Sequence, residues 1–149
     1  MMKKLSFLLL LMLIFIFRTP LPALADEPED GNILILNSYY RGVTWTDDEV
    51  DGILSSMSEQ KWDYQISIEY MDWKRYPTQE NLRNFYNMMK MKYASKDIDV
   101  IVCTDDAAFQ FALTYRKELF SNAPVVFSGI NTEGLVQIAK GQDNYTGVM

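Results

Sequence analysis

Histidine is absent from this 149-residue chain, and cysteine occurs once, as Cys103. Without imidazole or paired thiols, ordinary zinc sites, CxxC redox chemistry and any imidazole-based triad or general base are excluded. A lone cysteine also forbids an internal disulfide. Positive charge is scarce: 14 Lys and Arg stand against 20 Asp and Glu, a formal charge of −6. That balance argues against nucleic acid as a partner, because such binding needs a basic face to displace counterions. The length suits one domain of ordinary size.

No apolar run is long enough to span a bilayer. The longest, Phe7 to Phe17 (FLLLLMLIFIF), has 11 residues, where a spanning helix needs about 20. Lys3 and Lys4 precede it, Pro20 and Pro22 follow, and Ala23-Leu24-Ala25 reads as an A-x-A cleavage site. Residues 1–25 are therefore expected to be a signal peptide, with an uncleaved N-terminal anchor as the alternative. Its removal takes three basic residues and no acid, leaving 124 residues with a charge of −9. The protein is expected to be exported, to the periplasm or another extracytoplasmic space. Residues 26–31 (DEPEDG) read as a disordered lead-in, and 32–149 as the folded part. In an oxidising space an odd thiol invites reaction. Cys103, however, lies in Val100-Ile101-Val102-Cys103, a run that reads as a buried strand and makes it an inert core thiol.

From Asn32 onwards strands and helices alternate. Ile33-Leu34-Ile35-Leu36 is continuously apolar, and Thr46-Asp47-Asp48-Glu49 reads as a capping box for a helix whose stripe is Val50, Ile53, Leu54 and Met57. Tyr64, Ile66, Ile68 and Tyr70 alternate with polar residues. Tyr76-Pro77-Thr78 opens a helix with the stripe Leu82, Phe85, Tyr86, Met89 and Tyr93, which reads as core. Val100–Cys103 is the third strand, and Asp105-Asp106 open the third helix. Val125–Phe127 is the fourth strand; a short helix follows around Thr132–Lys140, and Tyr145 begins a fifth strand.

This pattern predicts an α/β fold: a doubly wound parallel sheet with helices on both faces. Strands 1, 3 and 4 are apolar throughout and so central, whereas strand 2 alternates and belongs at an edge. Right-handed crossovers then give the order 2-1-3-4-5, a Rossmann- or flavodoxin-like lobe.

Ligands of such sheets sit beyond the carboxyl ends of the strands, where the order reverses. That point lies between strands 1 and 3. Its loops carry Asn37, Ser38, Tyr39, Tyr40 and Trp45, then Asp105 and Asp106, then Ser128 and Asn131, with Trp73 on the flanking loop. Aromatic faces beside neutral hydrogen-bonding groups suit a small polar molecule with a planar or apolar part. Some of these residues also have structural roles to play. Asp47 and Asp48 fit a helix first turn, Asp105 fits an N-cap as well as a ligand contact, and Tyr39 and Tyr40 can pack on helix 1. The excess of Asp near this edge favours an amine-bearing or neutral ligand over a bare anion. The phosphate-loop, dinucleotide and nucleophile-elbow motifs are all missing, so no catalytic residue, cofactor or metal ligand is assigned and an enzyme is not expected.

Five segments, LNSYYRGVTWTDDEVDGI, IEYMDWKRYPT, DVIVCTDDAAFQFALTYRKELF, PVVFSGIN and YTGVM, together resemble the ABC-transporter-type substrate-binding domains, a group that includes sensor modules of bacterial histidine kinases and diguanylate cyclases. The resemblance runs from Ile33 to Met149. It implies the type I periplasmic-binding architecture, of which this chain carries the first lobe. It also implies partners: a permease, a sensor kinase or cyclase, or a second lobe that completes the cleft. Members often carry His where Tyr40 stands, so the ligand class does not transfer. The function expected is small-ligand binding for uptake or sensing, through Ser38, Tyr39, Tyr40, Trp45, Asp105, Asp106 and Asn131. A protein–protein interaction module and a non-functional truncated fragment are the alternatives.

Overall fold

The computed structural model describes residues 31–60, 63–141 and 143–148. The expected signal peptide and nearly all of the lead-in lie outside these residues. Gly31 is the exception, because it already belongs to the first strand and pairs with Tyr64.

Five strands form one parallel sheet in the order β2-β1-β3-β4-β5. They are β1 (Gly31–Asn37), β2 (Tyr64–Tyr70), β3 (Val100–Thr104), β4 (Val125–Ser128) and β5 (Tyr145–Gly147). Four helices alternate with them: α1 (Thr44–Ser58), α2 (Gln79–Tyr93), α3 (Asp105–Leu119) and α4 (Glu133–Lys140). The α/β fold and strand order are those expected from the sequence. Alternation does place β2 at an edge: β1, bonded to β2 on one side and β3 on the other, buries every residue from Ile33 to Asn37.

The period of two divides each central strand between two cores. Leu34, Leu36, Ile101, Cys103, Val125 and Phe127 face α2, α3 and α4. Aromatic edges fill that side, with Phe85 against Phe111 at 5.0 Å and Phe109 against Phe127 at 4.9 Å between ring centroids. Ile33, Ile35 and Val102 face the other way, against Val50, Ile53, Leu54 and Met57 of α1. Cys103 is fully buried, and burial pushes its thiol pKa far up, so it stays protonated and packs as a small apolar group.

The helix starts differ in how they are held. Thr78 caps α2 by accepting the Asn81 N–H through its hydroxyl. The capping box expected at Thr46 does not form. α1 begins two residues earlier, Thr46 is buried inside its first turn with an unpaired hydroxyl, and the Asp47 carboxylate reaches back to the Gly42 N–H. Gly42, at φ +105°, makes the turn that brings its N–H to Asp47.

Candidate functional site

The carboxyl ends of β1, β3 and β4 meet at the point where the strand order reverses. Two residues there form a rigid floor. Asn37 and Thr104 are fully buried; the Thr104 hydroxyl donates to Asn37 Oδ1 at 3.0 Å, and Asn37 Nδ2 donates to the Glu69 carbonyl at 3.2 Å. Ser38 stands beside them. Its hydroxyl donates to the Thr104 carbonyl at 2.7 Å and accepts the Ala108 N–H at 2.8 Å. Ser38 is thus the cap of α3, supplied from across the sheet, and being fully buried it lies beneath the site rather than at its surface.

With that cap role filled, Asp105 is free for other work. It is the first residue of α3, in left-handed backbone at φ +63°, a conformation that Asp tolerates better than most residues but that still stores strain. Its side chain is buried, and its Oδ2 atom has no hydrogen-bond partner. The nearest acid is Glu49, from the second turn of α1. Glu49 Oε1 accepts from the Ser128 hydroxyl at 2.9 Å, and its Oε2 is likewise buried and unpaired. Both carboxyl groups crowd Gly129, which sits at φ +70°. A β-carbon there would lie 3.1 Å from Glu49 Oε1 and 3.3 Å from Asp105 Oδ1. Only glycine leaves that space open.

Burial is the main force on this pair. Burial first and the Glu49 charge second raise the Asp105 pKa to about 6, against a hydrogen bond from the Trp45 side chain that lowers it in part. Glu49 is raised by the same desolvation, opposed by Ser128 and Trp45. The Tyr39 hydroxyl is raised by burial and then by the charges of Asp105, Asp106 and Glu49, which places its ring beside the acids. Trp45, more than half exposed, is the open aromatic wall.

Among the seven residues expected at the site, Tyr39, Trp45 and Asp105 converge. The other four have different duties. Asp106 receives the Asn131 and Thr132 N–H groups and the Thr132 hydroxyl, so it fastens the loop before α4. Asn131 is exposed and folds its amide onto the Gly129 carbonyl at 2.9 Å. Tyr40 lies under the Arg75 guanidinium, 4.0 Å from ring centroid to Cζ, and Arg75 in turn pairs with Asp72 at 2.6 Å. Ser38 is the cap already described. Glu49 had been absorbed into the supposed capping box and is the residue that reasoning missed. The signal was present: Thr46, Glu49, Val50 and Ile53 fall on one helical stripe, which places Glu49 among inward positions.

The arrangement offers two buried acceptor atoms in want of donors, flanked by an aromatic face and a phenol. It suits a cationic or multiply donating group bonded to something flat. Among the described residues no three His, Cys, Asp or Glu side chains come together as metal ligands. No helix among them is long and apolar enough to cross a membrane. Comparison of the chain with protein-family models, curated proteins and solved structures returns no match.

Proposed function

We propose that this chain is a ligand-recognising lobe of periplasmic-binding type that works outside the cytoplasm, for uptake or sensing, without turning its ligand over. The ligand is a small molecule with an amine and a planar or apolar part. The observation that carries this reading is Asp105, buried in strained backbone at the switch point with an unpaired Oδ2 and within the field of Glu49, whose Oε2 is likewise unpaired. Leaving two such acceptors unmatched is costly, and an ammonium group would satisfy both. Trp45 and Tyr39 then cover the ligand's flat part. The leader-like segment at residues 1–25 and the order of the five family-like segments support the compartment and the class.

A thermal-shift screen of amines, amino acids, sugars and oxyanions tests it. Stabilisation by amine ligands should be lost in Asp105→Asn, with affinity falling roughly ten- to a hundredfold, as expected for losing a charged hydrogen bond of about 1.5–3 kcal/mol. Stabilisation by phosphate or sulfate alone, unchanged in that variant, would remove the carboxylates from the site.

The same acid pair favours a second reading, because a carboxylic acid whose pKa is raised towards neutrality is equipped for general acid catalysis. Release of product from chromogenic glycosides or esters, abolished in both Asp105→Asn and Glu49→Gln, would replace the binding role with this one.

A further inference from the structure

The two faces of the sheet are covered unequally. Among the described residues, α2, α3 and α4 pack on one face, and α1 alone serves the other, over Ile33, Ile35 and Val102. Beside α1 runs a groove of about 710 Å3, walled by Ile53 and Met57 and floored by Val100, Val102 and Val126. Val126 is 37% exposed and Val148, at the same groove, 67%. Yet β4 is apolar at Val125, Val126 and Phe127 alike, the pattern of a strand covered on both faces. Two acids, Asp48 and Glu49, stand at the carboxyl end of this groove, and among the described residues no Lys or Arg lines it.

We propose that this groove is the docking site for an amphipathic helix of a second polypeptide, lying beside α1 and antiparallel to β3 and β4. Parallel sheets are closed by helices rather than strands. The five residues of β3 give a floor of roughly 17 Å, the length of about 11 helical residues. An antiparallel helix sets its positive N-terminal end, with Lys or Arg in its first turn, against Asp48 and Glu49. Among its described residues a second copy of this chain offers no such helix. Its large exposed apolar side chains, Trp45, Tyr76, Met91, Val126, Ile138 and Val148, are scattered over separate elements, so no described helix has a second apolar stripe to offer. A copy would also bring further negative charge to the same surface.

The test uses the full chain and fluorescein-labelled synthetic helical peptides of about 12 residues. One carries a Leu stripe and first-turn lysines; a second has those lysines replaced by Glu. The Lys peptide should bind, should protect β3, β4 and α1 amides from hydrogen exchange, and should lose roughly tenfold or more in affinity with Val126→Lys, since that change buries a charge in the groove. The Glu peptide should bind more weakly than the Lys peptide. Val126→Ser, which keeps the strand and removes the apolar contact, should weaken binding in the same direction if Val126→Lys fails to fold. Absence of binding, or binding indifferent to both variants, overturns the proposal. Dimerisation in the ultracentrifuge abolished by Val126→Ser would assign the groove to a second copy, and flotation with anionic vesicles abolished by that variant would assign it to lipid; either result overturns the helix.

Discussion

Asp105 pits local strain against chemical use. A carboxylate raised from its ordinary 3.8 to about 6 holds its proton more tightly in the folded chain than in the unfolded one. Below about pH 4 both states are protonated and Asp105 has no effect. Between there and pH 6 the unfolded chain sheds the proton while the folded chain keeps it, so stability falls as pH rises, and the penalty is complete above pH 6. Asp105→Asn keeps a residue that tolerates left-handed backbone and removes the charge. It should therefore stabilise the ligand-free protein at pH 7 by about 1–3 kcal/mol, on the scale of about 1.4 kcal/mol per pKa unit, and change little at pH 4. Urea melts at the two pH values measure this; equal effects at both would show that Asp105 is not held protonated by its surroundings. Ser38 makes the opposite case. Ser38→Ala removes one bond to Thr104 and leaves the Ala108 N–H unpaired, at a cost of about 1–3 kcal/mol at either pH.

At the scale of elements, β5 is held most narrowly. It has three residues, and a β-carbon on Gly147 would stand 2.1 Å from the Phe127 carbonyl oxygen, the atom that accepts the Val148 N–H. Gly147→Ala should detach β5 from β4, seen as faster amide exchange at Val148 with β1 and β3 unchanged. Loss of protection throughout the sheet would show instead that the fold is one cooperative unit. The elements and their order were legible because each central strand is a continuous apolar run and β2 alternates. Patterns of that kind report burial, and burial decides position in a parallel sheet. What the sequence hid were interactions across chain distance. Ser38 caps a helix 70 residues ahead, Asp106 fastens a loop 25 residues on, and Glu49 meets Ser128 79 residues away. Each has a local role that fits equally well, so local reasoning left Asp105 between a cap and a ligand contact and gave Glu49 the capping box. That Tyr39, Trp45 and Asp105 share one edge was legible because the edge of a doubly wound sheet is fixed by topology alone.

For the whole molecule, charge and acidity act together on binding. The chain is acidic overall at −6, and its candidate site gathers Glu49 and Asp105 beneath aromatic walls. The free lobe therefore carries a site that is partly protonated near pH 6, and an incoming ammonium must compete with that proton. Binding should be tightest at pH 7–8, where Asp105 is ionised and a primary amine is still charged, and should weaken steadily as pH falls through about 6. Because Glu49 is raised as well, the lower limb should be steeper than a single titration allows. Calorimetry in two buffers of different ionisation heat would also detect proton release on binding near pH 6, and none near pH 8. Salt should matter less than pH, since the pair is buried and screened only weakly, whereas the dispersed surface acids are screened within about 10 Å at 0.1 M. An affinity flat from pH 5 to pH 8 but strongly dependent on salt would mean that the ligand responds to the general negative surface, and the Glu49–Asp105 pair would lose its role.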